Sequence, residues 1–189
     1  MLNPSSFSLT ADAAARPRRW CGASLLLGAV LCSQGAVAAL KPGDKAPEFS
    51  APSSLGGQVS TFSLSEALKK GPVVLYFYPA AFTSGCTIEA HLFAEAVDRY
   101  KALGATVIGV SGDNIETLNK FSVSECRSKF AVAADVDKKI MKVTGYASRT
   151  SYVITPDHAI LYEYTDMNPE KHVENTMQAL EQWSAKQKR

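Results

Sequence analysis

Cys86 is the residue best placed to do chemistry in this 189-residue chain. It stands in the run Pro79-Ala80-Ala81-Phe82-Thr83-Ser84-Gly85-Cys86-Thr87-Ile88-Glu89-Ala90, after an unbroken apolar run over residues 73–78 and at the head of a helically periodic stretch. A thiol at a strand-to-helix junction meets free backbone N–H groups and the positive end of the helix dipole. Both favour the thiolate, which is the reactive form. Thr83 lies three residues earlier on the turn and can set a hydroxyl beside the sulfur, where it would orient an oxygen of a small polar substrate. Pro79 ends the strand and stiffens the loop, which keeps the pocket narrow and partly dry. A fixed cation would complete the site. Past residue 39 the arginines are Arg99, Arg127, Arg149 and Arg189, and only Arg149 abuts a core-strand pattern, Thr150 to Ile154. These residues point to thiol-based redox chemistry.

The elements that must position them are legible from periodicity and punctuation. Gly56-Gly57, between residues 49–54 and 58–63, has the composition of a hairpin turn. Ser63 or Ser65 can cap a short helix that Gly71-Pro72 stops. Residues 73–78 are β-branched and aromatic without alternation, as in a strand buried on both faces. After Cys86 the spacing of Ile88, Leu92, Ala96, Tyr100 and Leu103 predicts one buried helical stripe, ended by Gly104. A second buried strand is expected over 105–110, a helix over 114–130 with Cys126 near its end, and a short strand over 131–134. A short helix over 138–143, strands over 151–155 and 160–164, and a helix from about Pro169 to Trp183 complete the chain. The order predicts a three-layer α/β sandwich with a mixed sheet and an N-terminal hairpin, its middle strands parallel.

The first 39 residues are expected to be a leader rather than fold. Arg16, Arg18 and Arg19 precede an apolar stretch over 23–32 and the small-residue site Ala36-Val37-Ala38, the pattern of a cleaved secretory signal peptide. Arg18-Arg19 also permits twin-arginine export. The expected destination is outside the cytoplasm, in a bacterial periplasm, with no membrane attachment after cleavage. The apolar stretch is short for a bilayer span. What remains, residues 40–189, is one domain's length and carries seventeen basic and seventeen acidic side chains. A neutral domain of this kind offers nucleic acid no partner surface. Cys21 and Cys32 leave with the leader, so Cys86 and Cys126 remain, too few to staple a fold.

Pro79-x-x-x-Thr83-x-x-Cys86 resembles the active-site motif of the peroxiredoxins. Gly85-Cys86-Thr87-x-Glu89-Ala90 is similar to the branch of the bacterioferritin comigratory protein, also called peroxiredoxin Q, and Arg149-Thr-Ser-Tyr-Val-Ile resembles that family's arginine-bearing strand. The resemblance runs over nearly all of residues 40–189. It implies a thioredoxin-like fold and reduction of hydrogen peroxide or organic hydroperoxides, with Cys86 as attacking thiolate and Arg149 and Thr83 stabilising charge as the O–O bond breaks. Glu89 would orient Arg149, or would be simply a first-turn helix charge. No metal or organic cofactor is implied. A thioredoxin-like protein or a small thiol would be the reductant, and the protein would be a monomer or weak dimer. Some members carry a second cysteine five residues after the first; here that position is His91. Resemblance to members with a resolving cysteine on the following helix makes Cys126 the resolving candidate, and an ordinary half-buried thiol is the alternative.

Two other readings compete. An exported thiol–disulfide oxidoreductase would want Cys-x-x-Cys, but the first position is Thr83. A copper-binding protein of the same fold would want Cys-x-x-x-Cys, and the last position is Ala90. His91, His158 and His172 are scattered and are expected to be surface or helix residues rather than ligands.

Overall fold

The computed structural model describes residues 40–144 and 149–188. The leader expected over 1–39 lies outside them. A hairpin opens the fold: β1 (Ser50–Leu55) and β2 (Gln58–Ser63) pair antiparallel, with Leu55 opposite Gln58. Gly56 and Gly57 take φ of +55° and +79°, the left-handed pair that a two-residue turn needs to match the strand twist. Ser63 caps α1 (Leu64–Leu68) by accepting from the Glu66 N–H. Then follow β3 (Val73–Phe77), α2 (Ser84–Ala102), β4 (Thr106–Ser111), α3 (Ile115–Ser124), β5 (Ala131–Ala134), α4 (Lys139–Thr144), β6 (Thr150–Ile154), β7 (Ile160–Thr165) and α5 (Pro169–Gln187).

One mixed sheet holds all seven strands in the order β2-β1-β5-β4-β3-β6-β7. β3, β4 and β5 are parallel, and the remaining pairings are antiparallel. β3 sits centrally and every one of its residues is buried, which is why its sequence shows no alternation. Its side chains still divide by period two. Val74, Tyr76 and Tyr78 join the core under α2, α3 and α5, while Val73, Leu75 and Phe77 join the core under α1 and α4. Each such side chain, moved from water to interior, contributes roughly 1.5–3 kcal/mol. The three layers, the mixed sheet and the hairpin match the expected α/β class.

Three local expectations are corrected. The stripe on α2 is rotated: the buried residues are Cys86, Glu89, Ala90, Phe93, Ala94, Ala96, Val97 and Tyr100, whereas Ile88 is 47% exposed. Inward pointing of Cys86 and Glu89 sets that face. α3 ends at Ser124, well before residue 130, so Cys126 belongs to a turn rather than a helix. The Ser122 and Ser124 hydroxyls donate to the carbonyls of Asn119 and Lys120, and Arg127 and Ser128 take φ of +51° and +56°, which no helix continues. α5 runs four residues past Trp183, to Gln187.

Candidate active site

The register of the sheet assembles the site. In the antiparallel β3–β6 pair Phe77 faces Thr150, so the chain leaving β3 and the chain entering β6 meet at one end of the sheet. Arg149 immediately precedes Thr150, and it therefore arrives beside the loop that joins β3 to α2. That loop is pinned from β4. Asp113 accepts from the Ala81 N–H and from the Ser111 hydroxyl, each at 2.7 Å. Phe82 takes φ of +63°, a strained conformation for an aromatic residue, and packs edge-on against Phe121 with centroids 5.2 Å apart.

Thr83 is the N-cap of α2, but its side chain makes no capping bond. The hydroxyl instead donates to the Ala80 carbonyl at 3.1 Å, leaving its lone pairs free to accept. It was expected beside the sulfur, and its fixed bond is to the backbone of the loop. Without a side-chain cap, the first N–H groups of α2 gain no partner from the helix itself, and Cys86 is the third residue of that first turn. Cys86 is 1% exposed, so only a small molecule can reach its sulfur without the loop moving. Pro79 is exposed and lies just past the end of β3.

Arg149 and Glu89 complete the constellation. Arg149 Nη2 lies 3.5 Å from Cys86 Sγ. Its Nη1 donates to Glu89 Oε2, and both side chains are buried. Glu89 stands one helical turn after Cys86, so it faces the same way and meets the guanidinium from α2. A Cβ on Gly85 would fall 2.2 Å from Arg149 Nη2, and this close approach demands glycine. Burial pushes the Glu89 carboxyl up to about 8, against the pull of Arg149's charge and hydrogen bond.

Two further residues belong here. His172, expected to be a surface or helix residue, lies on the first turn of α5 and is fully buried. Its Nδ1 is 2.8 Å from the Ser151 hydroxyl, its Nε2 2.9 Å from the Asp166 carbonyl, and its Nδ1 3.7 Å from Glu89 Oε1. Ser151 lies two residues after Arg149, hence on the same face of the sheet.

Cys126 stands apart. It is a free thiol, as is Cys86, and wholly buried in the cluster that holds Tyr76, Tyr78, Phe93, Phe121 and Phe130. Burial, helped by the charge of Glu125, drives its thiol well above the usual range, so it stays protonated. The turn that carries it is tied to α2 by a hydrogen bond and two ion pairs. His91 Nε2 lies 2.9 Å from Glu125 Oε2, Arg127 Nη1 donates to Glu95 Oε1 at 3.2 Å, and Lys129 Nζ donates to Asp98 Oδ2 at 3.4 Å. Alternate residues of the turn thus meet one face of a helix, while Cys126 and Phe130 are buried. Among the described residues, no cluster of three or more histidine, cysteine or acidic side chains could hold a metal.

Residues 42–163 match the AhpC/TSA family. The chain is 37% identical over 130 residues to "Peroxiredoxin Q, chloroplastic" of Triticum aestivum, spanning 64% of this chain and only 59% of that protein. It is 38% identical over 114 residues to "Putative peroxiredoxin bcp" of Helicobacter pylori, spanning 60% of this chain and 72% of that one. Its fold superposes on the crystal structure of peroxidoxin BcpB from Mycobacterium tuberculosis with a TM-score of 0.70 at 27% identity, covering 76% of this chain and 97% of the other. Because the family match over residues 42–163 spans more than half of its length, the chain belongs to the AhpC/TSA family.

Proposed function

We propose that the protein is a thiol peroxidase of the peroxiredoxin Q and bcp kind, which reduces hydrogen peroxide and small organic hydroperoxides through a sulfenic acid on Cys86. The observation that carries this reading is the placement of Cys86 Sγ at the start of α2 with Arg149 Nη2 at 3.5 Å. A thiolate there is paired with a cation that Glu89 holds in place, and it faces helix N–H groups with no partner in the helix. The sulfur attacks one peroxide oxygen in line. The O–O bond breaks, sulfur is oxidised to Cys–SOH, and the leaving hydroxide or alkoxide takes a proton to depart as water or alcohol. Thr83, its own proton committed to the Ala80 carbonyl, accepts from the peroxide O–H and sets the approach. Arg149 and the helix N–H groups stabilise the charge that develops on the oxygens.

Resolution falls to Cys126. Its thiol condenses with Cys86–SOH to a disulfide and water, which requires the turn after α3 to leave the core. A thioredoxin-like protein or a small thiol then reduces the disulfide. The basic, apolar and small-residue succession over 1–39 supports export to a bacterial periplasm, and the domain that remains would act as a monomer or weak dimer without a metal or organic cofactor. No helix among the described residues is long and apolar enough to cross a membrane.

The test is catalytic turnover of hydrogen peroxide by the full chain, with thioredoxin or dithiothreitol as reductant. Cys86→Ser should abolish turnover, and Cys126→Ser should keep turnover with dithiothreitol and lose it with thioredoxin. Undiminished turnover by Cys86→Ser would end the proposal. Reduction of insulin disulfides at an unchanged rate in the absence of peroxide would favour the oxidoreductase reading.

A further inference from the structure

Glu89 presents two unlike carboxylate oxygens. Oε2 accepts from Arg149, whereas Oε1 is buried and has no hydrogen-bond partner. A buried carboxylate oxygen left in this way is costly, so its environment must either supply a donor or place a proton on it. The atom it faces is His172 Nδ1, at 3.7 Å. His172 Nε2 is bonded to the Asp166 carbonyl, which only accepts, so that nitrogen carries a hydrogen in every state. The neutral ring therefore has its lone pair on Nδ1, where it accepts from the Ser151 hydroxyl at 2.8 Å. Neutral His172 thus offers Glu89 Oε1 no hydrogen across 3.7 Å, in a place where neither group meets solvent.

The charges in the cluster say which state is stable. Cys86 as thiolate, Glu89 as carboxylate and Arg149 as guanidinium sum to one uncompensated negative charge among buried groups. One proton on Glu89 or on His172 removes it. The other groups around the pair do not supply a second cation. Cys86 lies on α2, the Tyr76 phenol on β3 is pushed up by burial, Arg149 enters β6, Tyr164 of β7 stacks edge-on against His172, and Asp166 precedes α5.

We propose that Glu89 and His172 form a buried dyad that carries one proton between them, leaving the charge of Arg149 to Cys86, so that His172 is a positioning residue of the site. The inference rests on the reading of Cys86 as the attacking thiol. At 3.7 Å the two atoms are not hydrogen-bonded to each other, but a charge placed on either group is felt by the other. The proton sits on Glu89 Oε1 with His172 neutral, accepting from Ser151. Burial favours this arrangement twice, raising Glu89 to about 8 and lowering His172. When the proton is lost, Glu89 competes for Arg149 and the thiolate faces an extra negative charge.

The experiment is the pH dependence of single-turnover Cys86 oxidation by hydrogen peroxide in the full chain, read by mass spectrometry of the Cys86 peptide. Wild type should lose rate as pH rises through about 8, where the dyad gives up its proton. Glu89→Gln, which has no group to titrate there, should lose that decline. His172→Gln can donate an amide hydrogen to Oε1, stabilise the carboxylate and move the decline down by about one pH unit. A decline that stays in place in His172→Gln, whatever that variant does to melting temperature, would overturn the proposal. An infrared carboxylic-acid band at neutral pH, absent in Glu89→Gln, gives a second readout that needs no His172 variant, and no such band in wild type would also overturn it. The Cys86→Ser variant separates the two claims. Peroxide consumption that survives in it sinks the reading of Cys86, whereas the infrared band in it reports on the dyad alone.

Discussion

At the scale of single residues the site is a chain of contacts in which each member has few substitutes. Cys86 is held by Arg149, Arg149 by Glu89 and by the bare backbone of Gly85, and Glu89 by the His172 face. Gly85→Ala tests the closest of these contacts. A methyl group 2.2 Å from Arg149 Nη2 must push the guanidinium off the sulfur, although alanine suits a helix better than glycine does. We expect the fold to persist by circular dichroism and the rate of Cys86 oxidation to fall roughly 10²–10³-fold, the loss typical when one charge-stabilising donor is removed. An unchanged rate would mean that Arg149 is not needed where it stands. The place of Cys86 at a helix start, of Thr83 on the turn before it and of Arg149 at the entry to a core strand was readable, because a strand, a turn and a helix start are local signals. Glu89 was half readable: its position is local, but its partner lies 60 residues away. The helix that carries His172 was readable, but the burial of its ring was not. Nothing around residue 172 marks it as buried, and only the packing of α5 across β6 brings it to Glu89.

At the scale of elements the informative piece is the turn between α3 and β5. Periodicity carried a helix through Cys126 because Ile115–Ser124 do form one, and the stop is made by left-handed backbone at Arg127 and Ser128, neither of them the glycine or asparagine that usually marks such a stop. The same limit misled the α2 stripe, where a buried glutamate and cysteine occupy positions that a hydrophobic count treats as outward. β3 and the hairpin were legible because burial on both faces and Gly56-Gly57 leave little choice. The turn matters to function because it sequesters Cys126. Its two ion pairs, Arg127–Glu95 and Lys129–Asp98, are about half exposed or more and worth about 0–1 kcal/mol each, so the larger restraint is the burial of Cys126 and Phe130. In the reduced protein Cys126 should react with iodoacetamide far more slowly than Cys86. Glu95→Ala, which removes the Arg127 rung, should speed Cys126 labelling by no more than about fivefold, in keeping with the small worth of one exposed pair. Labelling of Cys126 as fast as Cys86 would show that the turn does not hold it.

At the scale of the whole molecule the buried dyad couples the site to stability. The unfolded chain releases protons from these two groups near 4.5 and 6.5, while the folded pair keeps its single proton until about 8. Between 6.5 and about 8 the folded state binds the extra proton. Their contribution to stability therefore falls as pH rises from about 6.5 to about 8. Melting temperature should fall across this window, and the double variant Glu89→Gln with His172→Gln should lose that fall. A variant curve parallel to wild type would mean that the pair holds no shared proton.

The measurement that bears most directly on the whole account is the intact mass of the reduced full chain after one equivalent of hydrogen peroxide, with peptide mapping of every cysteine. The account predicts the loss of two hydrogens, with Cys86 joined to Cys126 within one chain and the bond reversed by a thiol. Consumption of the peroxide with Cys86 recovered as a free thiol would contradict it.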